Sequence, residues 1–242
     1  MEQPDEPRTR SAGVLAGSRA RRPARLIGLV LIAFALVEAL LLGLGLLVTR
    51  VLDDSALNEQ ELAFERTLLE HRIPWWNEVT YLGTVLGSTG VIVALTAVGC
   101  LLLAWRGHGP RLPAYLALAV AGETGLFLLA SAAVDRLRPA IPHLDEAPPT
   151  SSFPSGHTAA AIALACGLAL GLARTHPRHR LRVLIWVLAV ALPLFVLLSR
   201  LYRGMHWPSD VVASVLFTVA WLLLLRAVLL PPGTGAPPQV RR

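Results

Sequence analysis

The chain has 242 residues, of which 54% are hydrophobic and only 16% charged, a balance that excludes an ordinary soluble domain and places it among membrane proteins. All 22 basic residues are arginine and the formal net charge is +6, but most of them fall in tails, short loops and span ends, which assigns them to membrane orientation and not to a nucleic-acid partner. Cys100 and Cys166 lie inside apolar runs without CxxC spacing, which leaves no disulfide or metal site to build on them.

Residues 1–25 are polar, with Arg8, Arg10, Arg19, Arg21, Arg22 and Arg25 and with Pro4, Pro7 and Pro23, and they read as a disordered cytoplasmic tail. The apolar run from Leu26 to about Val48 has the ~20 residues that span a bilayer. It is too long for a signal-peptide core and has no convincing cleavage site. Next comes an acidic stretch, Asp53, Asp54, Glu59, Glu61, Glu65 and Glu70, interleaved with Leu57, Leu62, Phe64, Leu68 and Leu69. That pattern predicts a helix lying on the outer membrane surface, with Trp75 and Trp76 as an interfacial belt. Further spans follow at 79–105, 113–134, 156–174, 181–200 and 209–229, and residues 230–242, with Pro231, Pro232, Pro237 and Pro238, form a second disordered tail. The expected fold is all-α: an integral-membrane bundle of six helices over residues 26–229, with one outer interfacial helix.

Arginine bias fixes the orientation. The N-terminal tail, Arg106 and Arg111, the cluster Arg174, Arg178, Arg180 and Arg182, and the tail with Arg241 and Arg242 all fall on one side, which is the cytoplasm by the positive-inside rule. The loops after the third and fifth spans then meet on the opposite face. They hold Arg136, Arg138 and Pro139, then Pro154, Ser155, Gly156 and His157, then Ser199, Arg200, His206 and Asp210.

The segment SSFPSGHTAAAIALA reads as an extended arrival at Pro154 and a helix starting near Ser155. Free N–H groups of Ser155, Gly156 and His157 would then face outward at a positive helix end, a ready phosphate site. An isolated PSGH would be only a helix start, with Ser155 capping and His157 solvated; the later block weighs against that reading. His206 and Asp210 are four residues apart with Pro208 as a good first helical residue, so Asp210 can reach back to the ring, fix its tautomer and leave the other nitrogen nucleophilic. Arg138 and Arg200 can make two-point contacts to phosphate oxygens, and His157 can protonate a departing oxygen.

Together SAAVDRLRP, PSGH and SRLYRGMHWPSD resemble the three blocks of the type 2 phosphatidic acid phosphatase superfamily, and the resemblance in helical layout extends over about residues 26–229. The resemblance implies His206 as nucleophile, Asp210 as its orienting partner and His157 as general acid. It implies Arg138, Arg200, Ser155 and Gly156 as a phosphate cradle, with no metal and no other cofactor. One position departs: the family's first block usually opens with lysine seven residues before the arginine, and here that residue is Ser131. Arg136 and Arg203 stand near enough in sequence to replace the lost charge.

The expected activity is hydrolysis, without a metal, of a lipid phosphate or diphosphate of the polyprenyl diphosphate, phosphatidic acid or phosphatidylglycerol phosphate class, through a phosphohistidine. The expected place is the plasma membrane, with the site outside the cytoplasm. The alternative is a non-catalytic lipid-phosphate binder or translocator, which Ser131 favours and the two intact histidines oppose. Vanadate-dependent haloperoxidase chemistry, from the wider superfamily, fits six spans and the missing lysine poorly. Glu38 and Glu123 sit inside spans, where carboxyls are functional by default; Glu123, beside Gly122 and Thr124, reads as an inter-helix hydrogen-bonding residue, with a proton or substrate role as the alternative. His71, His108, His143, His176 and His179 have no ligand spacing.

Overall fold

The computed structural model describes residues 10–52, 56–172 and 178–231, with side chains from residue 24 onward. In chain order the helices are α1 (Arg10–Leu46, prolonged by a π-helical turn Leu47–Val51), α2 (Ala56–Glu70), α3 (Pro74–Leu86), α4 (Thr89–Trp105), α5 (Arg111–Ala133), α6 (Gly156–Leu172), α7 (His179–Tyr202) and α8 (Pro208–Leu229). No strand occurs among the described residues. α5, α7, α8 and the segment Ala24–Val51 are each long and apolar enough to cross a membrane. The protein is a multi-pass, all-α membrane protein. Such a chain must be helical in lipid because no water is there to take its backbone hydrogen bonds.

The second expected span, 79–105, is not one helix. α3 and α4 are long and apolar enough to cross a membrane only together and are bent by 53° at their break. The break falls at Gly87 and Ser88, and Ser88 is extended, with φ −68° and ψ 147°. Its position has a cause elsewhere in the chain: a Cβ on Gly87 would come within 2.9 Å of the His157 Cβ, so the bend lets α6 press its first turn against this point. α6 itself has 17 residues and is apolar. It lies at the centre, against α4, α5, α7 and α8, because buried Ala159, Ala161, Ala163 and Ala169 let neighbouring backbones approach closely.

Two further expectations are revised. α1 begins at Arg10, so residues 10–25, assigned to a disordered tail by their polarity, are helical. Alanine and arginine are strong helix formers, and extending a helix already nucleated in the adjacent span is easy. Residues 1–9, Asp53, Asp54, Arg174, His176 and everything after Pro231 lie outside the described residues. α2 forms as expected, but its acidic residues divide: Glu59 and Glu70 are exposed, whereas Glu61 and Glu65 are 5% and 0% exposed. Four residues apart, they share the helix face turned towards the rest of the protein.

Candidate active site

α7 ends in a Schellman turn. Gly204, at φ +72°, donates its N–H to the Leu201 carbonyl at 2.8 Å, and the Met205 N–H donates to the Arg200 carbonyl at 3.1 Å. Only glycine takes that left-handed position without strain. The reversal puts Arg200, on the last turn of α7, beside His206, just ahead of Pro208 at the start of α8. Asp210 then accepts the Trp207 N–H at 3.0 Å, satisfying a donor at the helix start.

His206 is 4% exposed, and its Nδ1 lies 2.7 Å from the Ser152 carbonyl oxygen. A carbonyl can only accept, so Nδ1 carries the proton and Nε2 keeps its lone pair. Asp210 Oδ2 is 3.8 Å from the same nitrogen, beyond hydrogen-bond range. The expected direct bond from Asp210 to the ring is therefore replaced by a backbone carbonyl, and Asp210 supplies charge at short range. Its carboxylate is already held by the Ser152 hydroxyl, by Arg136 Nη1 at 2.5 Å and by the Trp207 N–H. Burial holds the His206 pKa below the ordinary imidazole value; Asp210 pulls the other way, while Arg200 and Arg138 add to the depression.

Nearby lies a cavity of about 500 Å³ whose lining includes Arg138, Gly156, His157, Arg200 and His206, with Ile92, Val93, Val120, Phe127 and Leu128 as apolar wall. A larger hollow of about 800 Å³ runs along α7 past Val183, Trp186 and Leu194, but it is an apolar groove without convergent polar groups. Arg138 donates Nη1 to the Met205 carbonyl at 2.6 Å. Arg200 donates Nη1 to the Thr84 hydroxyl at 2.6 Å and to Asp145 Oδ2 at 2.6 Å. Both arginines bury an Nε–H that has no protein partner among the described residues, an arrangement that costs stability unless an anion or water completes it. Asp145 also takes Arg203 Nε at 2.9 Å and Nη2 at 2.7 Å. Burial pushes its carboxyl up, but Arg203, Arg200 and Thr84 outweigh it and hold the pKa at about 2. Among the described residues, no group of three or more His, Cys, Asp or Glu is placed to hold a metal ion.

The family model described as the PAP2 superfamily matches residues 79–231, the stretch from α3 to the end of α8 that carries this whole cavity. The chain belongs to the PAP2 superfamily. Among solved structures it is similar to the crystal structure of a transmembrane PAP2 type phosphatidylglycerolphosphate phosphatase from Bacillus subtilis, at 22% identity and a TM-score of 0.66, covering 84% of this chain and 93% of that one. That likeness is one of fold. No curated protein matches the chain.

Of the three PAP2 blocks, the structure brings Arg138, Gly156, His157, Arg200 and His206 to one cavity, with Asp210 behind His206. Ser155 stands apart. It is fully buried, its N–H donates to Ser214 Oγ at 2.8 Å and its hydroxyl pairs with Thr158 at 2.9 Å, so its expected free N–H is tied to α8 and it anchors the turn. Neither candidate for replacing the missing lysine reaches the cavity lining. Arg136 is engaged by Asp210, by Ser209 and by Glu61 Oε2 at 3.0 Å, and Arg203 by Asp145, Asn77, Thr80 and Leu144. Ser131 turns its hydroxyl back to the Leu128 carbonyl at 3.2 Å.

Three residues that hold this PAP2 site, Ser152 and Glu61 behind it and Asp145 in its lining, were not picked out from the sequence. Ser152 presents its carbonyl to His206 and its hydroxyl to Asp210; its only sequence signal is adjacency to the PSGH block. Glu61 of α2 takes the Ser209 N–H at 2.6 Å as well as Arg136, placing a carboxylate at the positive start of α8. Its signal is the four-residue spacing to Glu65. Asp145, in the loop between α5 and α6, had none.

Proposed function

We propose that this chain is a metal-independent phosphatase of lipid phosphates or diphosphates that forms a phosphohistidine on His206. The observation that carries the reading is the Nδ1 contact to the Ser152 carbonyl, which leaves Nε2 as the available nucleophile on a ring that lines the same cavity as His157, Arg138 and Arg200. In the first step the Nε2 lone pair attacks phosphorus and the bond to the lipid oxygen breaks. That oxygen leaves with the electron pair and takes a proton from His157. In the second step His157 removes a proton from water, the water oxygen attacks phosphorus, and inorganic phosphate leaves as the pair returns to Nε2.

Arg138, Arg200 and the first-turn amides of Gly156 and His157 hold the phosphate oxygens throughout. Asp210 offsets the positive charge of the phosphorylated ring. The apolar wall from Ile92 to Leu128 takes the lipid chain. By the arginine bias, residues 26–229 form the membrane domain of a plasma-membrane protein with both termini cytoplasmic and the cavity mouth outside. Release of inorganic phosphate by the detergent-purified protein in excess chelator tests the reading, with polyprenyl diphosphate, phosphatidic acid and phosphatidylglycerol phosphate as substrates. Turnover on at least one is expected. Turnover of none, or turnover that needs added magnesium, contradicts it. The competing reading, a binder without turnover, draws on Ser131 at the lysine position and on Asp145 engaging Arg200; saturable lipid-phosphate binding with no phosphate release would establish it.

A further inference from the structure

The cavity also contains a carboxyl that this reaction does not use. Glu123 is 1% exposed and lines the cavity beside Val120, Thr124 and Phe127. Its hydrogen bond among the described residues comes from the hydroxyl of its own chain neighbour, Thr124, at 3.4 Å, long for an O–H···O bond, and the same hydroxyl has a nearer acceptor in the Val120 carbonyl at 3.0 Å. It forms no ion pair among the described residues. A residue holding two helices together would bond across to the second helix; among the described residues Glu123 shows no such bond, which favours the proton or substrate role that the sequence also allowed. A carboxyl at this depth without such a partner is costly and calls for a ligand to complete it.

Its place along the cavity indicates which part of a ligand it meets. The ring of Phe127 packs on Gly156, where an added Cβ would come within 3.0 Å, so Phe127 marks the level at which α6 begins and phosphate binds. Glu123 precedes Phe127 by one turn of α5, about 5.4 Å deeper, near Ala160, which follows Gly156 by one turn on α6 and also lines the cavity. Val120 comes deeper still, at the apolar end. The cavity therefore runs from the guanidinium and imidazole groups, with the loop carboxyls of Asp145 and Glu146 among them, through the Glu123 carboxyl with a hydroxyl beside it, to hydrocarbon. A glycerolipid phosphate has the same order: phosphate, then the hydroxyl or ester oxygens of glycerol, then acyl chains. A polyprenyl chain has no oxygen beyond its phosphates.

We propose, resting on the phosphatase reading, that Glu123 binds the glycerol oxygens of the substrate and makes this cavity selective for glycerolipid phosphates over polyprenyl diphosphates. Both glycerol oxygens of phosphatidic acid are esterified and only accept, so towards this lipid the Glu123 carboxyl acts in its protonated form, donating to an ester carbonyl. Glu123→Leu and Glu123→Gln test it; leucine suits a membrane helix, and glutamine still donates and accepts. For Glu123→Leu, kcat/KM on phosphatidic acid should fall about tenfold, the worth of roughly one hydrogen bond, while that on a polyprenyl diphosphate stays within about twofold. Glu123→Gln should recover most of the loss. Equal losses on both substrates, or no loss on phosphatidic acid, overturn the proposal. A parallel arm needs no turnover: phosphatidic acid should raise the melting temperature of the wild type more than a polyprenyl diphosphate does, and Glu123→Leu should abolish that difference. Wild type that releases phosphate from neither of these lipids nor from phosphatidylglycerol phosphate sinks the phosphatase reading, whereas equal stabilisation by both lipids sinks the Glu123 proposal alone.

Discussion

Asp210→Asn separates charge from shape at the nucleophile. The amide keeps the volume and one acceptor oxygen, but it removes the negative charge 3.8 Å from His206 Nδ1. When Nε2 takes the phosphoryl group while Nδ1 keeps its proton, the ring becomes cationic, and the Asp210 carboxylate is its nearest counter-charge. Two unit charges at that spacing interact by about 4 kcal/mol at an effective dielectric near 20. Arg136, 2.5 Å from the other carboxylate oxygen, already draws on the same charge, so we take roughly 2–3 kcal/mol as the share lost from the transition state. That corresponds to a kcat lower by about 30- to 150-fold. Because the Ser152 carbonyl holds the ring, the variant should still accumulate phosphohistidine, more slowly. The assay is single-turnover phosphate release by protein whose melting curve matches the wild type. A folded Asp210→Asn protein within about threefold of the wild-type rate would refute the electrostatic role given to Asp210.

Gly87→Ala would put a Cβ 2.9 Å from the His157 Cβ, a contact between two backbone-anchored atoms that cannot swing away. We expect about 1–3 kcal/mol lower stability and reduced turnover, read by melting and phosphate release; a variant equal to wild type would show that the α3–α4 bend does not position His157. Glu61→Gln breaks the ion pair with Arg136, whose side chains are 6% and 10% exposed, yet keeps an acceptor for the Ser209 N–H. Steady-state kinetics should show kcat falling several-fold with KM unchanged, since Glu61 lies outside the cavity, and a change in KM alone would contradict this. The pH profile has a definite sign: burial favours the neutral His206 ring, so the proton that would block Nε2 binds only below the ordinary value of 6.5. After correction for the substrate's own ionisation, the acid limb of kcat/KM should lie below that value; a limb at pH 7 or above would contradict the assignment.

Much of this architecture was legible because lipid leaves a chain few choices. Long apolar runs must become helices, and Gly204 and Pro208 punctuate the α7–α8 turn in a way sequence alone reveals. The blocks holding Arg138, His157, Arg200 and His206 were legible for the same reason, since each sits at a helix end that such punctuation marks. What sequence did not reveal depends on partners distant along the chain. The bend at Gly87 exists against His157, and Glu61 turns inward to meet Arg136 and the start of α8, where an acidic, amphipathic stretch alone suggests a solvated face. The orienting partner of His206 is a backbone carbonyl, that of Ser152, and side-chain motifs do not record backbone acceptors. Arg136 and Arg203 were plausible phosphate contacts until the carboxylates of Asp210, Glu61 and Asp145 were seen to engage them.

The central claim is covalent, and the most direct measurement is of the covalent intermediate. Detergent-purified protein is mixed with lipid labelled in its terminal phosphate, quenched in alkali within one turnover, digested and analysed by mass spectrometry. The phosphoryl group should appear on the peptide containing His206, and His206→Ala, folded and membrane-inserted, should neither take up label nor release phosphate. A His206→Ala protein that still releases phosphate at the wild-type rate would contradict the account, because the nucleophile would then have to be another group.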